Sequence, residues 1–245
     1  MKTRLITLFI VILLSYNPVR LTAQDGTATT FRMWYDLFFI HTLNSNFKYV
    51  IHTNYKHQSD GSWRQLMIRP VIIYTMRDEL FLQGGVSFFV SEEGGKNVYE
   101  IRPWQGVNLF FPRIGSIYLN NFLRLEERFF LFDHDEENSV SIRARYALTT
   151  VIPLNKKQVI DHTVYLWPYV EAFIPIYERG LNPNVERFRF SFGLGYRFNK
   201  HIKTEFVYMH EKLKVELDNS FIENQNTMRI ILRYSLTNGT KPTGL

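Results

Sequence analysis

No cysteine occurs in the 245 residues, which excludes a disulfide framework, a thiolate metal site and an acyl anchor on a cysteine after a leader. The apolar run Leu5 to Leu14 covers ten residues, about half of what a helix needs to cross a bilayer. Glycine and proline number only 13 and 9, and no Pro/Gly/Ser linker, low-complexity tract or block of like charge divides the chain. There is no phosphate loop, helical zinc motif or nucleophile elbow. The formal charge is +6, and the basic residues sit one per second position along extended stretches rather than in surface clusters. That pattern argues against nucleic acid as a partner.

Aromatic residues, by contrast, are plentiful: 21 Phe, 14 Tyr and 4 Trp. Mean hydropathy is nevertheless −0.17. The chain opens with Met1-Lys2-Thr3-Arg4, then the apolar run, then Leu21-Thr22-Ala23 before Gln24. A basic start, a short apolar middle and a small-residue end predict a cleaved Sec-type signal peptide over residues 1–23. Residues 24–245 would then form a single exported domain.

From Arg187 to Phe198 the sequence reads RFRFSFGLGYRF. Phe188, Phe190, Phe192, Leu194, Tyr196 and Phe198 alternate with Arg187, Arg189, Ser191, Gly193, Gly195 and Arg197. Period two means a strand with opposite faces of opposite character. The same alternation recurs at 47–55, 65–74, 80–90, 99–111, 118–132, 139–148, 164–177, 202–215 and 227–236, with a further strand at 32–43. These segments run longer than the usual five or six residues of soluble strands. Tyr, Phe and Trp gather near their ends, as interfacial girdles require, and arginines fall mid-strand on the polar face, where a lumen can pair them and lipid cannot. The fold class predicted is all-β: one transmembrane, antiparallel, up-and-down barrel of 10–12 strands. Eleven segments are counted, and twelve strands are favoured because single-chain bacterial barrels close on even numbers. Connections near 43–46, 76–79 and 198–201 read as short turns, and those near 57–62, 91–97, 133–138 and 212–224 as longer outer loops.

QLMIRPVIIY, EIRPWQGVNLF, LRLEERFF, IRARYALTTVIPL, YVEAFI and FGLGYRFNKHIKTEFVYMHE together resemble the bacterial family called domain of unknown function 2490. The likeness runs from about Trp34 to Leu236, and Arg-Leu-Glu-x-Arg-Phe and Gly-Leu-Gly-Tyr are its most specific parts. It implies exported outer-membrane barrels of Bacteroidetes-type bacteria and brings no activity with it.

One set of candidate residues faces the expected lumen: Arg69, Arg102, Arg124, Glu126, Arg128, Arg143, Arg145, Glu171, Arg189, Arg197, Glu205, Arg229 and Arg233. Guanidinium groups bridging neighbouring strands would fill a narrow barrel; the alternative is a basic constriction that attracts anionic solutes or lipid head groups. Glu171 and Glu205 are the acids expected to join the cluster around Arg124, Glu126 and Arg128. In YKHQSDGSW, Tyr55 to Trp63, His57 and Ser59 followed by Asp60 resemble the catalytic His and Ser of outer-membrane phospholipases and lipid A deacylases. Arg64 stands after Trp63 where the phospholipase pattern has Asn. Turn formation also accounts for His57, Ser59 and Asp60. The acidic run around His134 (Asp133-His134-Asp135-Glu136-Glu137) has ligands for a divalent cation but reads first as a solvated loop. The remaining histidines share no spacing. The expected role is therefore a non-enzymatic outer-membrane barrel, either a narrow or filled channel or a subunit of an envelope assembly. It would hold no cofactor and no metal. Its partners would be outer-membrane lipid, the barrel-insertion machinery and other envelope proteins. A lipid-acting hydrolase using His57 and Ser59 is the alternative.

Overall fold

Each alternating stretch pairs with the next, as period-two segments joined by short turns do. A computed structural model describes residues 28–133, 137–179, 185–215 and 221–236. Among them every regular element is a strand: β1 (Ala28–Thr42), β2 (Phe47–Gln58), β3 (Trp63–Arg77), β4 (Leu80–Glu93), β5 (Lys96–Phe110), β6 (Tyr118–Phe132), β7 (Ser139–Pro153), β8 (Thr163–Leu166), β9 (Tyr169–Arg179), β10 (Val185–Arg197), β11 (Ile202–Val215) and β12 (Phe221–Ser235). The segment 1–23, expected as a leader, lies outside the described residues.

The twelve strands make eleven staves. β8 and β9 lie end to end between β7 and β10. They are interrupted at Trp167-Pro168, where proline has no N–H to give the ladder. β1 and β12 close the sheet, and they do so in parallel, from Ala28↔Glu223 to Ile40↔Ser235. This corrects two expectations. The favoured count of twelve staves gives way to the eleven segments read from alternation, and the sheet is mixed rather than purely antiparallel. The reason is geometric: an odd number of alternating staves leaves the first and last pointing the same way.

The expected rhythm of short turns and long outer loops is also revised. The strands extend into three of the stretches expected as loops, 57–62, 91–97 and 212–224. Two residues, Gly94 and Gly95, join β4 to β5, with φ of 58° and 80°. A hairpin turn with both central residues at positive φ needs no more length than that. Residues 59–62 likewise suffice between β2 and β3. The longest described connections, 111–117 and 154–162, lie at the opposite end of the barrel, with the turns 43–46, 78–79 and 198–201.

The alternation sorts the two faces as the sequence analysis anticipated. Phe190, Phe192, Leu194, Ile68, Leu123, Ile174 and Phe206 are exposed on the outer face, while Glu126, Glu171, Arg124, Arg189 and Glu211 are buried within. The interior is uneven along its length. Toward the 198–201 end it holds apolar clusters, including Val50, Val71, Ile73, Phe81 and Trp104, and separately Tyr169, Val207 and Ile231. Toward the 59–62 end charged side chains predominate, packed among Trp34, Met67, Phe89 and Phe173.

Gly193 and Gly195 leave room in this interior. A Cβ on Gly195 would stand 2.3 Å from two carbons of the Tyr165 ring, and one on Gly193 would stand 3.4 Å from the Trp167 ring and 3.2 Å from its carbonyl oxygen. The glycines on the arginine-bearing face of RFRFSFGLGYRF are therefore seats for inward aromatic rings from β8 and the break that follows it.

Candidate functional site: a charged barrel interior

The β6–β7 hairpin brings its charges face to face. Arg124 lies opposite Arg145, and Glu126 opposite Arg143. Glu126 is fully buried and is approached by four guanidinium groups: Arg143 at 2.6 Å, Arg124 at 2.7 Å, Arg145 at 3.5 Å and Arg102 at 3.7 Å. Charge-assisted contacts of this kind are about twice as strong as neutral hydrogen bonds. They are needed here, because one buried carboxylate or guanidinium left alone carries a heavy desolvation cost.

From Glu126 the network runs around the wall. On one side Arg102 reaches Glu100 at 2.7 Å, and Glu100 also holds Arg128 at 2.8 Å. On the other, Arg145 is hydrogen-bonded to Glu171, which accepts Arg189 at 2.7 Å; Arg189 in turn meets Glu211 at 2.5 Å, and Glu211 meets Arg187 at 3.2 Å. The chain of ion pairs thus crosses β5, β6, β7, β9, β10 and β11. A second group stands on β12, β1 and β2, where Arg229 reaches Asp36 at 2.7 Å and Asp36 meets the His52 ring at 2.5 Å. The Trp34 ring lies between the groups, with Lys56 at 4.2 Å and Arg189 at 5.2 Å from its centroid, distances at which a cation is attracted to an indole face.

Two anticipated members sit apart. Glu205 does not join the Arg124–Arg128 cluster. It holds Arg233 at 3.1 Å and accepts the Tyr165 hydroxyl at 2.7 Å. Arg197 pairs with Asp161 at 3.2 Å and donates to the Val159 carbonyl at 3.0 Å, pinning the 154–162 loop to β10 with Val159 buried. Arg69 is the exception. Its Nε donates to Ser87 at 2.7 Å, and no carboxylate among the described residues lies within ion-pair distance of it.

Asp36, Glu100 and Glu211 were missing from the sequence-derived set, although alternation places all three on the polar face. Their own strands held the signal. Asp36 stands between Tyr35 and Leu37, Glu100 between Tyr99 and Ile101, and Glu211 two residues on from Met209.

His57 and Ser59 are not brought together. The His57 ring faces outward, with centroid distances of 6.1 Å to Tyr35 and 5.7 Å to Tyr55, and its Nδ1 meets the Gln58 carbonyl at 3.3 Å. The Ser59 amide donates to the Phe31 carbonyl at 2.9 Å. Asp60 accepts the Ser62 amide at 2.9 Å and hydroxyl at 2.7 Å, and the Gln58 side-chain amide also reaches it; these bonds, the Ser62 amide first, hold its carboxyl down at about 2. Ser59 and Asp60 belong to the turn, and His57 is a strand residue of β2 opposite Arg64. His134, Asp135 and Glu136 lie outside the described residues, and no group of three or more His, Asp or Glu among the described residues is arranged to hold a metal ion.

A closed, mixed β-barrel with a salt-bridged interior is the class that fold and site define. The chain belongs to the family described as Protein of unknown function (DUF2490), whose model matches residues 31–221. No curated protein and no solved structure matches the chain.

Proposed function

We propose that the protein is a non-catalytic outer-membrane barrel, filled at mid-height by its own ion pairs, that serves as a membrane-embedded subunit of the envelope rather than as an open pore. The carrying observation is the inversion of its two faces. Aromatic and aliphatic side chains stand exposed all round the outside, from Leu66 and Ile68 on β3 to Phe190 and Phe192 on β10, while carboxylates and guanidiniums are buried inside. A soluble protein seldom exposes contiguous apolar area beyond a few hundred Å², whereas a lipid-facing band requires it. Strand length agrees: the six longest strands have 15 residues, which at about 3.4 Å each and tilted by about 45° rise ~35 Å, enough to cross a hydrocarbon core of about 30 Å. Phe31, Tyr55, Tyr99, Phe129 and Tyr177 toward one end and Phe39, Phe47 and Tyr234 toward the other are placed as interfacial girdles.

The absence of cysteine makes the test direct. Single cysteines at Phe192 and at Ser141 are labelled with a small fluorophore after reconstitution in lipid. Quenching by bromine-bearing acyl chains is expected at position 192 and not at 141. The reverse pattern, or protein that stays in the soluble fraction without detergent, overturns the proposal.

A further inference from the structure

Opposite the ionic half, the interior opens into a cavity of about 470 Å³, within the range of about 300–1,000 Å³ typical of ligand sites. It runs from mid-barrel to the strand ends beside the 43–46 and 198–201 turns, where Thr42, Lys48, Lys200 and Ser235 line it. Nine lysine and arginine side chains and one carboxylate, Glu171, contribute to its wall; five of the arginines are paired with acids, Arg124 and Arg145 with Glu126, Arg197 with Asp161, Arg229 with Asp36 and Arg233 with Glu205, whereas Arg69 has no such partner among the described residues. Between the charges the wall mixes apolar side chains with Gln83, Asn108, Asn120 and Thr149.

At the inner end Arg69 and Arg124 flank one indole. Their guanidinium carbons lie 5.8 Å and 5.0 Å from the Trp104 ring centroid. Arg69 donates to Ser87 and has no carboxylate within ion-pair distance among the described residues, so its desolvation is offset by no counter-charge. Arg124 pairs with Glu126. Both side chains line the cavity, and an oxyanion there would accept hydrogen bonds from both.

We propose that this cavity is a binding site for a phosphate or carboxylate oxyanion, held by Arg69 and Arg124, with Val71, Ile73 and Phe122 as an apolar wall for the remainder of an amphiphilic ligand. The site depends on the barrel interior alone and not on the membrane placement, so it is tested in detergent solution.

The experiment uses the full mature chain in a neutral maltoside detergent, with tryptophan fluorescence and the thermal midpoint as readouts. The probes are inorganic phosphate, hexyl phosphate and the neutral control hexanol. Hexyl phosphate is expected to give a saturable fluorescence change and a raised midpoint, and hexanol neither. Arg69→Gln and Arg124→Gln are each expected to weaken hexyl phosphate by about tenfold or more, the loss of one charge-assisted hydrogen bond. Arg69 neutralises no carboxylate, so Arg69→Gln is also expected to fold with an unlowered midpoint when no ligand is added. Inorganic phosphate binding as tightly as hexyl phosphate identifies a free anion as the ligand; tighter binding of hexyl phosphate identifies a lipid-type head group. No saturable response to either anion, or equal affinity in wild type and both variants, overturns the proposal.

Discussion

Tyr165 packs against Gly195, where a Cβ would stand 2.3 Å from two ring carbons. The two residues face each other across the β8–β10 ladder. A strand glycine replaced by alanine normally gains about 0.5–1 kcal/mol from reduced backbone entropy. Gly195→Ala is expected to do the opposite, lowering stability by about 1–3 kcal/mol as the ring is forced off its seat. Tyr165→Phe keeps the packing and loses the hydrogen bond to Glu205, an effect of about 1 kcal/mol softened by the Arg233 pair that remains. Thermal melts in detergent check both. A higher midpoint for Gly195→Ala would show that the ring does not occupy that space.

Glu126→Gln removes the charge on which four guanidinium groups converge. Breaking a buried pair on one side costs about 3–5 kcal/mol, so the thermal midpoint should fall far more than for Glu93→Gln at the exposed end of β4. The same pair of variants separates a filled barrel from an open anion path. A filled barrel gives little conductance in planar bilayers and a large stability loss. Unchanged melting together with altered anion conductance would sink the filled reading.

How far the sequence discloses this site follows from what period two can carry. Alternation states which face a side chain occupies, so Arg124, Glu126, Arg143 and Arg145 could be assigned to one interior and to facing strands of one hairpin. It does not state which residues meet across the lumen. Glu205 was expected beside that cluster and instead serves Arg233, because stagger around a closed barrel sets the height of each strand and leaves no trace in any single segment. Closure is similarly hidden. The eleven segments were legible, yet the parallel β1–β12 ladder is a contact between the first and last described strands with no local signature. Gly193 and Gly195 were read as polar-face residues, and only the neighbouring stave shows the rings that occupy their place.

Phe192→Arg and Ile142→Arg test the outer face. Both positions belong to the band assigned to lipid, near the middle of β10 and toward the 133–138 end of β7. An arginine at the bilayer midplane costs about 2–4 kcal/mol and less toward the interface, so Phe192→Arg should impair assembly more than Ile142→Arg. Inward Ser191→Ala should be mild. Gel mobility of unboiled samples, which separates folded from unfolded barrel, gives the readout. Wild-type assembly of Phe192→Arg would mean that this face does not meet lipid.

His57 and Ser59 provide the test against hydrolysis. A general base must come within about 2.6–3.2 Å of the proton it removes, and a nucleophilic serine needs such a base beside it. Here the His57 ring stands among Tyr35 and Tyr55 and its Nδ1 faces the Gln58 carbonyl, while Asp60 is occupied by Ser62 and Gln58. The purified barrel is therefore expected to release no fatty acid from phospholipid or lipid A dispersed in mixed micelles. His57→Ala and Ser59→Ala should leave that baseline unchanged, with the thermal midpoint moved by less than about 1 kcal/mol equivalent, since His57 lies on the outer face near the end of β2 and Ser59 in the turn that follows. Turnover by the wild type that disappears in both variants, with folding intact, would place the hydrolase reading above the one proposed.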